Sequence, residues 1–140
     1  MEFEDFFKEG KVRKASVDKE LARSLIKTAE SDLVFLKNAE INGNSARKVF
    51  TGFYDVLRSV IEALAILDGY KVYSHEAFTY YLKEKNENNA SIQFDRLRKI
   101  RNRINYYGKD ISVEEVKESI PEIIELIDML KGRKEEWDSK

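Results

Sequence analysis

The chain has 140 residues, with 25 lysines and arginines against 26 aspartates and glutamates, and no cysteine. That length suits one domain with a real core, and the missing cysteines exclude disulfides and thiolate metal sites. A net charge of -1 argues against a dedicated, sequence-independent nucleic-acid binder while leaving room for a local basic patch.

Met1 to Lys14 mixes Phe3, Phe6 and Phe7 with acidic residues and lacks the apolar run of a signal peptide. Residues 1–15 are read as an N-terminal extension, 16–132 as a helical bundle and 133–140 as a C-terminal tail. No apolar stretch is long enough to span a bilayer, so a soluble, cytoplasmic protein is expected. Ser16 or Asp18 caps a first helix whose stripe is Leu21, Leu25, Ala29, Leu33 and Leu36, with Phe35 off that stripe. Asn42-Gly43-Asn44 is a turn signal, with Asn44 the expected cap of a second helix over Ser45 to Leu67. The apolar arc of that helix is wider than the roughly 100° of a surface helix, which places it at the centre of the bundle.

Asp68-Gly69 ends the second helix, and Ser74 caps a short third one through Phe78, Tyr81 and Leu82. Asn86 to Asn89 reads as a loop. A basic, amphipathic fourth helix follows from Asp95 to Tyr107, burying Leu97, Ile100, Ile104 and Tyr107 and stopping at Gly108. Ser112 and Glu115 have capping-box spacing for a fifth helix with Val116, Ile120, Ile123, Ile127 and Leu130 inward. Pro121 either kinks that helix or starts a second segment capped by Ser119. No strand signal or internal repeat is present. The fold class is all-α, an up-and-down bundle of about five helices.

The chemistry concentrates on the fourth helix. Arg96, Lys99 and Arg103 share one face, and Arg98, Arg101 and Asn105 another. A solvated basic face is the plain reading of such a run. Arg101, however, falls at the edge of the apolar stripe, where its stem is held, and Asn102 and Asn105 are poor interior helix formers that propensity does not explain. A planar guanidinium grips two phosphate oxygens at once, which suits phosphate recognition. The single histidine, His75, follows a helix cap and reads as structural. Acidic residues do not cluster at metal-ligand spacings, and neither a Gly-rich phosphate loop nor a nucleophile motif is present, so no metal and no cofactor are expected.

Arg101-Asn102-Arg103-Ile104-Asn105-Tyr106 resembles the defining motif of the HEPN family: an arginine, a polar residue, and a histidine after a spacer of four to six residues. Tyr54 to Leu64 resembles that family's second helix, and Gly69 to Ala77 its following turn and short helix, in the same order. The resemblance covers the chain from about the first helix to Lys131. It implies a helical bundle that dimerises so that two arginine motifs face one another across a cleft. Nucleases of the family cleave RNA without metal, the arginine polarising the phosphate and the histidine managing protons.

Carried over, Arg101 matches the arginine, Asn102 the polar residue, and Tyr106 stands at the histidine position. Gly108 stands where some toxin members carry a tyrosine. A phenol with a pKa of about 10 is a poor base near neutral pH, so weak or absent catalysis is expected. The candidate catalytic residues are Arg101, Asn102 and Tyr106, and the candidate ligand-binding residues are Arg98, Arg101, Asn102, Asn105 and Tyr106. The first reading is a non-catalytic or weakly active HEPN-type module. It binds nucleotide or RNA phosphate at a homodimer cleft, beside a nucleotidyltransferase partner as in toxin–antitoxin pairs. The alternatives are an active metal-independent ribonuclease, with Tyr106 or His75 as base, and a protein-binding bundle without a nucleic-acid role.

Overall fold

A computed structural model of the chain describes residues 1–138. The elements run α1 (Phe3–Lys8), β1 (Val12–Lys14), α2 (Lys19–Lys37), α3 (Ala46–Leu67), β2 (Tyr70–Val72), α4 (His75–Glu84), α5 (Asn88–Tyr107) and α6 (Val113–Asp138). The fold is mostly helical, with six helices and one short two-stranded antiparallel ribbon among the described residues.

Helix α3 is the hub. It packs against α2, α6, α5 and α4, and Phe50, Phe53, Tyr54, Leu57, Ile61 and Leu64 along it are almost wholly buried. An apolar arc that wide satisfies several neighbours at once, which a surface helix does not need. Gly52 lets α2 come close: a Cβ there would stand 2.7 Å from Leu36 Cδ2. The plain up-and-down order holds only in part. The main partner of α6 is α3, and ion pairs Arg96–Glu122, Arg103–Glu115 and Arg133–Glu87 join it to α5 and the turn before it.

Residues 3–14 are part of the domain, not an extension. Asp5 accepts a hydrogen bond from the Glu2 backbone N–H at 2.7 Å, and the α1 turn then buries Phe3 and Phe6. Phe3 meets Phe7, Tyr70 and Tyr81 edge-on, and Phe6 packs on Tyr80. Strand β1 then pairs antiparallel with β2, Val12 opposite Val72 and Lys14 opposite Tyr70. Gly69, at φ +86, turns the chain out of α3 so that its carbonyl receives the Ala15 N–H at 2.8 Å. Strands of three residues are too short for an alternating pattern to stand out from the sequence.

Other differences are local. Asp18 is the α2 cap, accepting from Leu21 N–H at 3.0 Å. The buried stripe of α2 is Ala22, Ile26, Ala29, Leu33 and Leu36, while Leu21 is exposed and Leu25 only partly covered. Consecutive steps of four residues drift by about 40° each around a helix, so alternating steps of four and three track a straight neighbour better. Asn42, not Asn44, organises the turn before α3, its side chain accepting from Asn44 and Ser45 N–H. The loop expected at Asn86–Asn89 is shorter, because α5 begins at Asn88.

Tyr107, expected in the core, is exposed on the last turn before the left-handed Gly108 cap. Ser112 does cap α6, accepting from Glu115 N–H at 3.1 Å, but the Glu115 carboxylate is held by Arg103. Helix α6 runs through Pro121 without a second start, and Ser119 donates back to the Glu115 carbonyl at 2.9 Å instead of capping. Ile123, Leu126, Ile127 and Leu130 continue the buried stripe beyond the proline, and their packing outweighs the lost backbone hydrogen bond. The expected tail is helical as far as Asp138, and its last two residues lie outside the described ones. Among the described residues no helix is long and apolar enough to cross a membrane.

Candidate functional site

Five cationic side chains project from α5, and four of them are ion-paired, with three carboxylates between them. Arg96 pairs with Glu122, Arg103 with Glu115 at 2.9 Å, and Arg98 and Lys99 with Asp95 at 2.8 and 3.1 Å. Asp95 also accepts from Thr79. Burial works against the Asp95 charge, but the hydrogen bonds from Arg98, Lys99 and Thr79 more than offset it and hold its carboxyl below the usual range. The face containing Arg96 and Arg103 is therefore spent on α6.

Arg101 is the exception: it makes no ion pair among the described residues. Its half-buried side chain lies against the buried Tyr54 ring of α3, Cζ 5.8 Å from the ring centre. On the other side stands Tyr106, with Cζ 5.5 Å from its ring centre and a guanidinium nitrogen donating to its hydroxyl at 3.3 Å. A long 3.5 Å hydrogen bond reaches the Asn102 side-chain oxygen. Two aromatic rings flank the guanidinium, and its N–H groups other than those on Nη1 are left available. That is a cation positioned and desolvated in part, yet without a carboxylate in ion-pair contact.

The sequence-derived candidates thus divide. Arg101, Asn102 and Tyr106 come together, whereas Arg98 is turned to Asp95 and Asn105 is exposed on the surface. Arg98 remains near enough to act on Tyr54 and His75 through its charge.

His75 joins this cluster, although its position in the sequence pointed to a structural role. The start of α4 places its Nδ1 2.9 Å from the Tyr54 hydroxyl oxygen, with the two rings nearly parallel and 5.8 Å apart between centres. Phe94 stacks on the same tyrosine, and Phe78 meets the imidazole edge-on. Burial, then the charges of Arg101, Arg58 and Arg98, push His75 down to about 4. Burial pushes the Tyr54 phenol well above its ordinary range despite the same three arginines. At neutral pH both groups are uncharged. Asp55, beside Tyr54 on α3, is raised by burial against the pull of Arg58 and Arg101, and Arg58 is paired with Glu62 at 2.6 Å.

Tyr54 is the residue that sequence reasoning passed over. Its signal was present: a phenol in the middle of an apolar helix must find a hydrogen-bond partner for its hydroxyl.

Comparison of the chain with family models, with curated proteins and with solved structures finds no match. An open groove of about 590 Å³ between α4 and α5 is lined by Thr79, Lys83, Ser91, Asp95, Arg96 and Lys99. Neither Arg101 nor its aromatic neighbours line it. Among the described residues no group of three or more His, Asp or Glu side chains is placed to hold a metal ion.

Proposed function

We propose that the Arg101 cluster binds a phosphate of a nucleotide or RNA, within a HEPN-type module that is non-catalytic or weakly active. The observation that carries this reading is the one guanidinium on α5 that makes no ion pair among the described residues. Arg96, Arg98, Lys99 and Arg103 all have carboxylate partners, and Arg101 has aromatic walls instead. An oxyanion supplies the missing partner, and the planar fork suits it bidentately. The homodimer, the nucleotidyltransferase partner and a toxin–antitoxin setting follow from the sequence resemblance and belong to the same proposal.

A second reading, a metal-independent ribonuclease, draws support from His75 standing in the same cluster as Arg101. Its weakness is chemical. Tyr106 is a poor base, and an imidazole held at about 4 has little driving force to take a proton from a hydroxyl.

Arg101→Ala tests the phosphate reading. Calorimetric titration with a short RNA should show the variant weakened by about 1.5–3 kcal/mol, the worth of a charge-assisted hydrogen bond, with an unchanged circular dichroism spectrum. Equal binding by wild type and variant would put a protein-binding role in front. Fast cleavage of the same RNA in chelator, lost in His75→Ala, would put the ribonuclease in front.

A further inference from the structure

We propose that Tyr54 locks His75 as the neutral tautomer protonated on Nε2, so that His75 offers the Arg101 site a hydrogen-bond donor and not a base. The inference deepens the phosphate reading and rests on it for the identity of the ligand.

The tautomer follows from an accounting of one buried proton. Tyr54 has no exposed surface, and its hydroxyl has His75 Nδ1, at 2.9 Å, as its one hydrogen-bond partner among the described residues. A phenol has a single proton to donate. If Nδ1 carried a hydrogen and donated to the phenol oxygen, the phenol proton would be left buried without an acceptor. With Nδ1 as acceptor, the phenol proton and the Nδ1 lone pair satisfy one another, and the imidazole proton resides on Nε2.

The charged form is disfavoured on every side. Beyond burial, the charges of Arg101 and Arg98 on α5 and of Arg58 on α3 all act against an imidazolium, while the Asp55 carboxylate acts on Tyr54. Phe78 and Phe94 complete the apolar surround of the Tyr54–His75 pair. Tyr54 itself stays protonated, because burial opposes its ionisation, so its donor role persists at neutral pH.

The consequence for the site is specific. A general base needs a free lone pair, and the lone pair on Nδ1 is already taken by Tyr54. The other nitrogen is an N–H. Arg101 Cζ and the His75 ring centre each lie 5.8 Å from the centre of the Tyr54 ring, and in this proposal an anion bound at Arg101 takes the Nε2–H of His75 as a second, neutral donor. Such a pair grips phosphate oxygens and moves no proton.

His75 is the only histidine in the chain, so its imidazole nitrogens are observable without assignment. The test is a two-bond ¹H–¹⁵N correlation on the full-length ¹⁵N-labelled protein at pH 7. The expected spectrum has Nε2 at a protonated position and Nδ1 at an unprotonated one. In Tyr54→Phe, which removes only the hydroxyl, both nitrogens should move to the averaged positions of mixed tautomers. An Nδ1-protonated imidazole in the wild type would overturn the tautomer, and that measurement does not depend on the variant folding.

Titration with inorganic phosphate forms the second arm. It should shift both nitrogens in the wild type and leave them still in Arg101→Ala, and His75→Ala should bind phosphate ~3–10-fold more weakly, as for one neutral hydrogen bond. If the Nε2-protonated form is found and phosphate moves nothing, the donor role of His75 falls together with the Arg101 phosphate reading. If phosphate binds through Arg101 but Nδ1 carries the proton, only the present inference falls.

Discussion

Three arginines face Tyr54 and His75, and the balance at these two residues decides how the protein responds to acid. His75 is held at about 4 in the folded chain against an ordinary value of 6.5, so the unfolded chain binds its proton first as pH falls. Stability is then full above about 6.5 and declines as pH drops toward about 4. The full shift discounted for partial solvent access leaves about 1 kcal/mol lost by pH 5 through this residue. Urea unfolding at pH 7 and pH 5 should therefore show a larger loss in the wild type than in His75→Gln, whose side chain does not titrate. An equal loss in the two proteins would mean that the imidazole is freely solvated. Tyr81 shows the same logic without a histidine: it donates to Asp68 at 2.5 Å, Lys85 pairs with that carboxylate at 3.1 Å, and burial followed by the Asp68 hydrogen bond raises the phenol far above its ordinary range.

Among the elements, α1 is the one whose importance the sequence conceals most. Phe6 is almost completely buried, and removing such a ring costs about 3–5 kcal/mol. Phe6→Ala should lower the stability of the whole domain by that amount in urea, with one cooperative transition. A loss under 1 kcal/mol would return residues 1–15 to the status of an appendage. The long helices were legible because α3 carries an apolar residue at nearly every inward position, as does α6 beyond Pro121. The short elements were not, since three-residue strands and a six-residue helix hold too few positions for a period to emerge. Site legibility divides in the same way. Arg101, Asn102 and Tyr106 were singled out together by the resemblance of their motif, whereas helical spacing grouped Arg101 with Arg98 and Asn105, which the structure separates from it. Tyr54 and His75 reach Arg101 from α3 and α4, and only the tertiary packing of three helices brings them together.

For the whole molecule, the proposed homodimer makes a demand that one chain can be checked against. Phe35, Tyr106 and Tyr107 are 74%, 69% and 73% exposed, and large aromatics left so open are a common mark of a surface that meets a partner. Tyr106 also touches Arg101, so a second copy covering it would close over the proposed phosphate site. Light scattering at micromolar concentration should give twice the chain mass, and Tyr106→Glu should shift the protein toward the monomer. A monomer in the wild type would remove the dimer cleft while leaving Arg101 a site within one chain.

The pairing of β1 with β2 and the seating of Phe3 on Tyr70 and Tyr81 have a consequence for synthesis. At ~5–20 residues per second, the start of the domain waits several seconds on the ribosome before its partners emerge. Through that interval a phenylalanine-rich segment is presented with nothing to cover it. The first helix therefore cannot settle until β2 and α4 have been made, although α5 and α6 are still to come.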